Sequence, residues 1–170
     1  MDLAAHIRDV PDFPIPGILF RDITPLLATP AAFKHVVDTF AEHCRRDGVG
    51  AVVGIESRGF IFGTPLAYLL DVPFIPVRKA GKLPAARMSV EYALEYGTAQ
   101  LDIHKDALSL GQRVVIVDDL LATGGTAAAA AQLVELVGGA VQEFLFLIEL
   151  EFLKGREKLA GYPVTALLTY

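Results

Sequence analysis

Val114-Val115-Ile116-Val117-Asp118-Asp119-Leu120-Leu121-Ala122-Thr123-Gly124-Gly125-Thr126 joins an unbroken β-branched run to an acidic pair and then to a glycine turn. Consecutive β-branched residues without polar alternation mark a strand buried on both faces, as in the middle of a parallel sheet. Behind the glycines, the alanine run Ala127–Ala131 favours a helix from about Thr126 to Val137, closed by Gly138-Gly139. Ligands of such sheets lie beyond the carboxyl ends of the strands. A helix start there offers unpaired N–H groups and the positive end of a dipole, a seat for a phosphate over Thr123 to Thr126.

The flanking chain repeats the alternation. Thr29-Pro30 opens a helix over Ala31–Arg46, with Phe33, Val36, Val37 and Phe40 at helical spacing and Gly48 as its stop. Ala51–Ile55 reads as a buried strand, Gly59–Leu70 as a helix despite Pro65, and Pro73–Val77 as the next strand. Val141–Leu150 and Val164–Thr169 are further strand candidates. The fold expected is therefore α/β, a mainly parallel central sheet flanked by helices, in one domain over residues 1–170. Lys79–Gly97 mixes Lys79, Lys82 and Arg87 with glycine and proline and shows no clear period, so it is expected to be a flexible lid loop.

The chain has 170 residues, of which 53% are hydrophobic and 21% charged, a composition for a folded core rather than disorder. Fifteen Lys and Arg against twenty Asp and Glu leave a net charge of -5 and no broad basic surface for nucleic acid. The uncharged stretch Leu120–Val134 is too short to span a membrane and is broken by Gly124-Gly125. The start Met1–Asp9 lacks the basic and apolar regions of a secretory signal, and Cys44 is the only cysteine. A cytoplasmic protein without membrane or nucleic-acid partners is expected. His6, His35, His43 and His104 have no zinc-ligand spacing.

Two carboxylates, Asp118 and Asp119, just before a phosphate seat would repel a bare phosphate. They suit sugar hydroxyls as acceptors, or a nearby magnesium ion, so the ligand expected is a sugar phosphate. Neither G-x-x-x-x-G-K-[ST] nor G-x-G-x-x-G occurs, and Gly54–Gly59 misses the G-x-S-x-G elbow by one residue.

The acidic pair with Ala122-Thr123-Gly124-Gly125-Thr126 resembles the phosphoribosyl-pyrophosphate loop of the type I phosphoribosyltransferases. Phe13–Gly17, Phe20–Pro25, Glu56–Phe60, Arg78–Pro84, Leu94–Gly97 and Leu153–Leu159 extend the resemblance, from about residue 10 to the C-terminus, to the adenine phosphoribosyltransferase family. That resemblance implies the type I fold with a small N-terminal hood and a lid over residues 79–97. It implies a transferase of purine salvage that makes AMP and pyrophosphate from adenine and phosphoribosyl pyrophosphate. Mg²⁺ would be bound mainly through that substrate, with no direct protein ligand, and the unit would be a homodimer.

Residue roles follow from the same resemblance. Ser57 and Arg58 meet pyrophosphate, with a non-proline cis peptide at Glu56-Ser57. Arg78 reaches across a dimer interface, and Lys79 and Lys82 close over the site. Asp118, Asp119 and Ala122 to Thr126 hold the phosphoribosyl group. Glu95 lies by N7 of the purine, as proton donor or as orienting acceptor, and Tyr96 closes over the reacting groups. Leu19 accepts from the adenine amine, the N–H of Arg21 meets a ring nitrogen, Phe20 stacks on the base and Leu150 covers its other face. Two rivals stand beside this reading: an enzyme for another purine, and a regulatory module that senses nucleotides without turning them over.

Overall fold

The uninterrupted apolar runs of the sequence line up as neighbours in a seven-stranded sheet. The computed structural model describes residues 1–94 and 96–170, and the side chains of all of these except 45–47. In chain order the elements are β1 (Arg8–Pro11), β2 (Leu19–Asp22), α1 (Thr24–Leu27), α2 (Pro30–Asp47), β3 (Ala51–Ile55), α3 (Arg58–Leu70) and β4 (Phe74–Lys79). Then come β5 (Arg87–Ala93), β6 (Thr98–His104), β7 (Arg113–Leu121), α4 (Gly125–Leu136), β8 (Ala140–Glu149) and β9 (Val164–Thr169). Short 3-10 turns lie at Glu151–Leu153 and Gly155–Leu159.

The chain divides into Met1–Thr39 and Phe40–Tyr170. In the first unit, β1 and β2 form an antiparallel ribbon with Arg8 opposite Asp22 and Val10 opposite Phe20. Asp22 serves the ribbon and the helix after it: its carboxylate takes Arg8 Nε at 2.9 Å and the Thr24 N–H at 2.9 Å. Those donors hold the Asp22 carboxyl below its usual range, the Thr24 N–H contributing most.

In the second unit the strand order is β5-β6-β4-β3-β7-β8-β9. Strands β4, β3, β7, β8 and β9 are parallel, and β6 joins β4 antiparallel, with β5 outermost. Every residue of β3 is buried, and in β7 Val114–Val117 are buried as the all-apolar run predicts. Alanines 129, 130 and 131 of α4 join Val53, Ile116 and Phe146 in the core. Their small side chains let the helix approach the sheet closely. Helix α3 packs on β3 and β7 and sinks Phe62 and Leu66 completely, each such side chain contributing about 1.5–3 kcal/mol of burial. Pro65 sits inside α3 without ending it.

The segment 79–97 is not one irregular loop. Arg87–Ala93 is strand β5, paired along its length with β6. Met88, Val90 and Tyr92 are half-buried while Arg87, Ser89, Glu91 and Ala93 are exposed, the alternation of a strand with one covered face. The charged residues on its open face mask that period. Residues 80–86 connect β4 to β5.

Candidate functional site

The carboxyl ends of β3 and β7 meet the starts of α3 and α4 around a cavity of about 470 Å³. Register explains the meeting: β3 ends its pairing with β7 at Gly54 opposite Val117, so the Glu56-Ser57 turn leaves the sheet beside Asp118-Asp119, which remain in β7 and pair on with β8. Gly59 then brings the start of α3 against β7. A Cβ at Gly59 would lie 2.5 Å from the Val117 carbonyl oxygen, so only glycine permits the approach. The Glu56-Ser57 peptide is cis, as the resemblance implies.

Asp119 is buried, and Arg58 Nε stands 2.6 Å from its Oδ2. Asp118 turns its Oδ1 to accept the Asp119 N–H at 2.9 Å. Burial, and then the charge of Asp119, push the Asp118 carboxyl well above the ordinary carboxylate range. Within the acidic pair Asp119 is thus the partner of Arg58, while burial and its neighbour's charge favour the protonated form of Asp118. Across the cavity Glu56 accepts the Lys79 N–H at 2.8 Å and faces Arg78 Nε at 3.3 Å. Burial opposes ionisation of Glu56, but the Lys79 N–H and Arg78 outweigh it and hold the carboxyl low.

The glycine turn behaves as an anion seat requires. Gly124 has φ +83° and a Cβ there would lie 2.4 Å from the Gly155 carbonyl oxygen, so the chain crosses another backbone at a point where no side chain fits. Gly125 opens α4, whose first N–H groups have no partner within the helix. Thr126 Oγ1 lies 3.2 Å from the Tyr92 hydroxyl.

Of the residues singled out by sequence, Ser57, Arg58, Lys79, Asp118, Asp119 and Ala122 to Thr126 all line this cavity. Arg78 pairs with Glu56 of its own chain, and Lys82 and Tyr96 are exposed and are not among the lining residues. Glu95 lies outside the described residues. Leu19, Phe20 and Arg21 belong to the N-terminal unit, where Phe20 meets Phe13 edge-on at 5.2 Å and Arg21 is paired with Asp9. Leu150 follows β8 and donates its N–H to the Leu121 carbonyl at 2.9 Å. Tyr92 lines the cavity without having been singled out, although the Met88, Val90, Tyr92 alternation carries the signal.

A phosphoribosyl transferase domain model matches residues 22–156. The adenine phosphoribosyltransferase of Roseiflexus sp. (strain RS-1) is 60% identical, over 99% of this chain and 98% of the relative. That of Gloeobacter violaceus is 61% identical over 100% of both chains. Among solved structures, adenine phosphoribosyltransferase from Thermoanaerobacter pseudethanolicus superposes with a TM-score of 0.96 at 53% identity, covering 99% of this chain and 98% of that one. The Saccharomyces cerevisiae enzyme, complexed with an imino-altritol bisphosphate and adenine, does so with a TM-score of 0.94 at 44% identity, covering 98% and 97%. By domain, by sequence along its whole length and by fold, this chain belongs to the adenine phosphoribosyltransferase family.

Proposed function

We propose that the cavity seats phosphoribosyl pyrophosphate with its 5-phosphate on Thr123 to Thr126, its ribose hydroxyls on Asp118 and Asp119, and its pyrophosphate toward Ser57 and Arg58. The reaction is transfer of the 5-phosphoribosyl group to adenine, giving AMP and pyrophosphate. The observation that carries the seating is the single wall shared by the acidic pair and the glycine turn, with Arg58 at 2.6 Å from Asp119. A carboxylate pair next to a helix N-terminus suits a ligand with hydroxyls at one end and a phosphate at the other.

The bond from the anomeric carbon to pyrophosphate breaks as the bond to the adenine nitrogen forms on the opposite face. Positive charge gathers on the ribose and negative charge on the leaving group. Arg58, Lys79 and Lys82 answer the second of these, and Arg78 does so from a partner subunit. Mg²⁺ carried by phosphoribosyl pyrophosphate offsets its charge when bound. Asp119 is already engaged by Arg58, so the chain's own donor set fits a cation held mainly by substrate oxygens, with Asp118 assigned to its water shell. Glu95 serves N7 of the base, and Tyr96 closes over the reacting groups as the tip of the 79–97 segment folds down as a lid.

Adenine is assigned to Leu19, Phe20, Arg21 and Leu150. In a two-stranded ribbon half of the backbone groups of β2 point away from β1, which supports reading of the base edge by the Leu19 carbonyl and the Arg21 N–H. We assign the working form to a homodimer in the cytoplasm, one domain per chain. Ile61, Tyr68 and Leu69 are exposed on one face of α3, an apolar surface that suits a second copy. Cys44 is buried and is the one cysteine of the sequence, which supports assignment to a reducing compartment.

The test is conversion of each free purine with phosphoribosyl pyrophosphate and Mg²⁺, read by chromatography of the nucleotides. AMP alone is expected. IMP or GMP in its place would overturn the adenine assignment, and nucleotide binding without product would overturn the enzyme reading.

A further inference from the structure

The segment Leu153–Leu159 carries part of the family resemblance but has no task in the seating described above. Its backbone touches the phosphate turn. The Gly155 carbonyl oxygen is 2.4 Å from the place of a Gly124 Cβ, and a Cβ at Gly155 would in turn lie 2.4 Å from the Ala122 carbonyl oxygen. The segment is fastened at both sides of this contact. Arg156 donates to Glu149 from Nε at 2.7 Å and from Nη2 at 2.7 Å, and to the Val164 carbonyl from Nη1 at 2.8 Å. Leu159 is 1% exposed and belongs to the core.

From this fixed turn Lys158 extends to the start of α4. Its Nζ lies 3.8 Å from the place of a Gly125 Cβ. Helical Cβ positions tilt toward the N-terminus, so the ammonium stands beside the end of the helix. Among the described residues no carboxylate pairs with Lys158, and the first turn of α4 contains no acid. A cation at the positive end of a helix dipole is disfavoured when nothing negative lies between them. The arrangement becomes favourable once an anion occupies the turn, where the N–H groups of α4 and the lysine act on it together.

We infer that Lys158 is a further phosphate-binding residue, its ammonium completing the Thr123 to Thr126 seat for the 5-phosphate of the substrate and of AMP. The inference rests on the seating proposed above. It names a role for the Leu153–Leu159 segment: Gly155 and Arg156 position the turn, and Lys158 supplies charge to it.

Calorimetric titration with AMP and with adenosine tests this without requiring turnover, using the wild type, Lys158→Gln, Lys158→Arg and, as a charge-matched control, Lys105→Gln. Lys158→Gln should weaken AMP binding roughly tenfold, the loss of one exposed charge-assisted contact, and leave adenosine binding within twofold. Lys158→Arg should restore most of the loss, and Lys105→Gln should match the wild type. In steady-state assays the same variant raises KM for phosphoribosyl pyrophosphate and leaves KM for adenine unchanged. Equal affinity of wild type and Lys158→Gln for AMP would overturn the inference, as would an equal loss for AMP and adenosine or the same loss in Lys105→Gln. A wild type that binds AMP tightly, responds to Lys158→Gln and forms no AMP would instead refute the catalytic reading while sparing the lysine.

Discussion

Gly124 and Gly125 are adjacent in sequence and opposite in what they tolerate, which makes their alanine variants a sharp test of the site's geometry. Gly124 has φ +83°, a conformation that costs an alanine about 1–2 kcal/mol. Its added Cβ would lie 2.4 Å from the Gly155 carbonyl oxygen. An ordinary contact needs about 1 Å more, and backbone meets backbone there, so neither side yields cheaply; forced overpacking of this kind typically costs about 1–3 kcal/mol. Gly124→Ala should therefore lose about 2–5 kcal/mol, which for a chain of this size lowers Tm by roughly 5–15 °C. At Gly125 the same methyl would find Tyr92 Cδ2 at 3.5 Å and the Ala93 carbonyl at 3.8 Å, ordinary van der Waals distances at a helical position. Gly125→Ala should stay within about 0.5 kcal/mol of the wild type, since alanine also favours the helix. Thermal melts followed by circular dichroism measure both. Displacing the phosphate turn by about 1 Å should also cost Gly124→Ala on the order of 100-fold in kcat/KM for phosphoribosyl pyrophosphate. Equal melting temperatures for the two variants would refute the claimed backbone contact, and unchanged kinetics in Gly124→Ala would refute the assignment of this turn to the phosphate.

Arg58→Ala should keep the wild-type circular dichroism spectrum and lose on the order of 100- to 1,000-fold in kcat/KM for phosphoribosyl pyrophosphate, because it removes the cation that the proposed seating assigns to the leaving group; near-normal turnover would remove Arg58 from the site. Asp118 has a folded-state pKa raised by burial and by Asp119, so the native state holds its proton more tightly than the unfolded chain. Ionising it then erodes stability as pH rises from about 4, the unfolded value, through the folded value. Asp118→Asn should consequently be more stable than the wild type at pH 7, converge with it near pH 4 in denaturant titrations, and bind phosphoribosyl pyrophosphate more weakly. Asp102 is wholly buried and accepts from Ser89 Oγ at 2.7 Å, Gln100 Nε2 at 2.8 Å and the Gly81 N–H at 3.2 Å, with Arg87 Nε at 3.3 Å. Asp102→Ala leaves these donors without their acceptor and should cost about 2–4 kcal/mol in urea unfolding.

The strands legible in sequence are those buried on both faces, where no polar residue interrupts the run: Ala51–Ile55 and Val114–Val117. The acid pair and glycine turn were legible for a related reason, since their spacing is local and the sheet fixes where a strand end must lie. Strands β5 and β6 were hidden because one is the outermost strand, with charge on its open face and a half-buried alternation on the other. Arg87 shows the consequence. Its spacing singles it out for nothing, yet it faces the buried Asp102 from across the hairpin, a pairing created by the register of Ser89 opposite Asp102. The Gly124 and Gly155 contact is likewise invisible to any local reading, since neither residue carries a side chain whose pattern would announce the partner.

The charge arrangement of the cavity gives these separate residues a common logic. Arg58 rests on Asp119 and Arg78 on Glu56, so two of the cations assigned to pyrophosphate are matched by carboxylates of the chain itself. Glu56 lines the cavity while Arg78 does not, so among the described arginines it is Arg58 that stands at the seat itself. The carboxylates hold these cations in place, and on the proposed seating the approach of a polyanion becomes an exchange of partners, from carboxylate to phosphate. The exchange costs less at Arg58 than complete burial would suggest, because its side chain is 44% exposed and water screens the pair. On the same proposed seating it frees Asp119 for the ribose hydroxyls, so the group that holds Arg58 becomes the group that orients the sugar. The phosphate turn differs in kind: α4 brings no acid to its own N-terminus, and its charge is satisfied only by the ligand. One end of the substrate is thus received by exchange and the other by an unmet field, which favours a ligand long enough to reach both over pyrophosphate or ribose 5-phosphate alone.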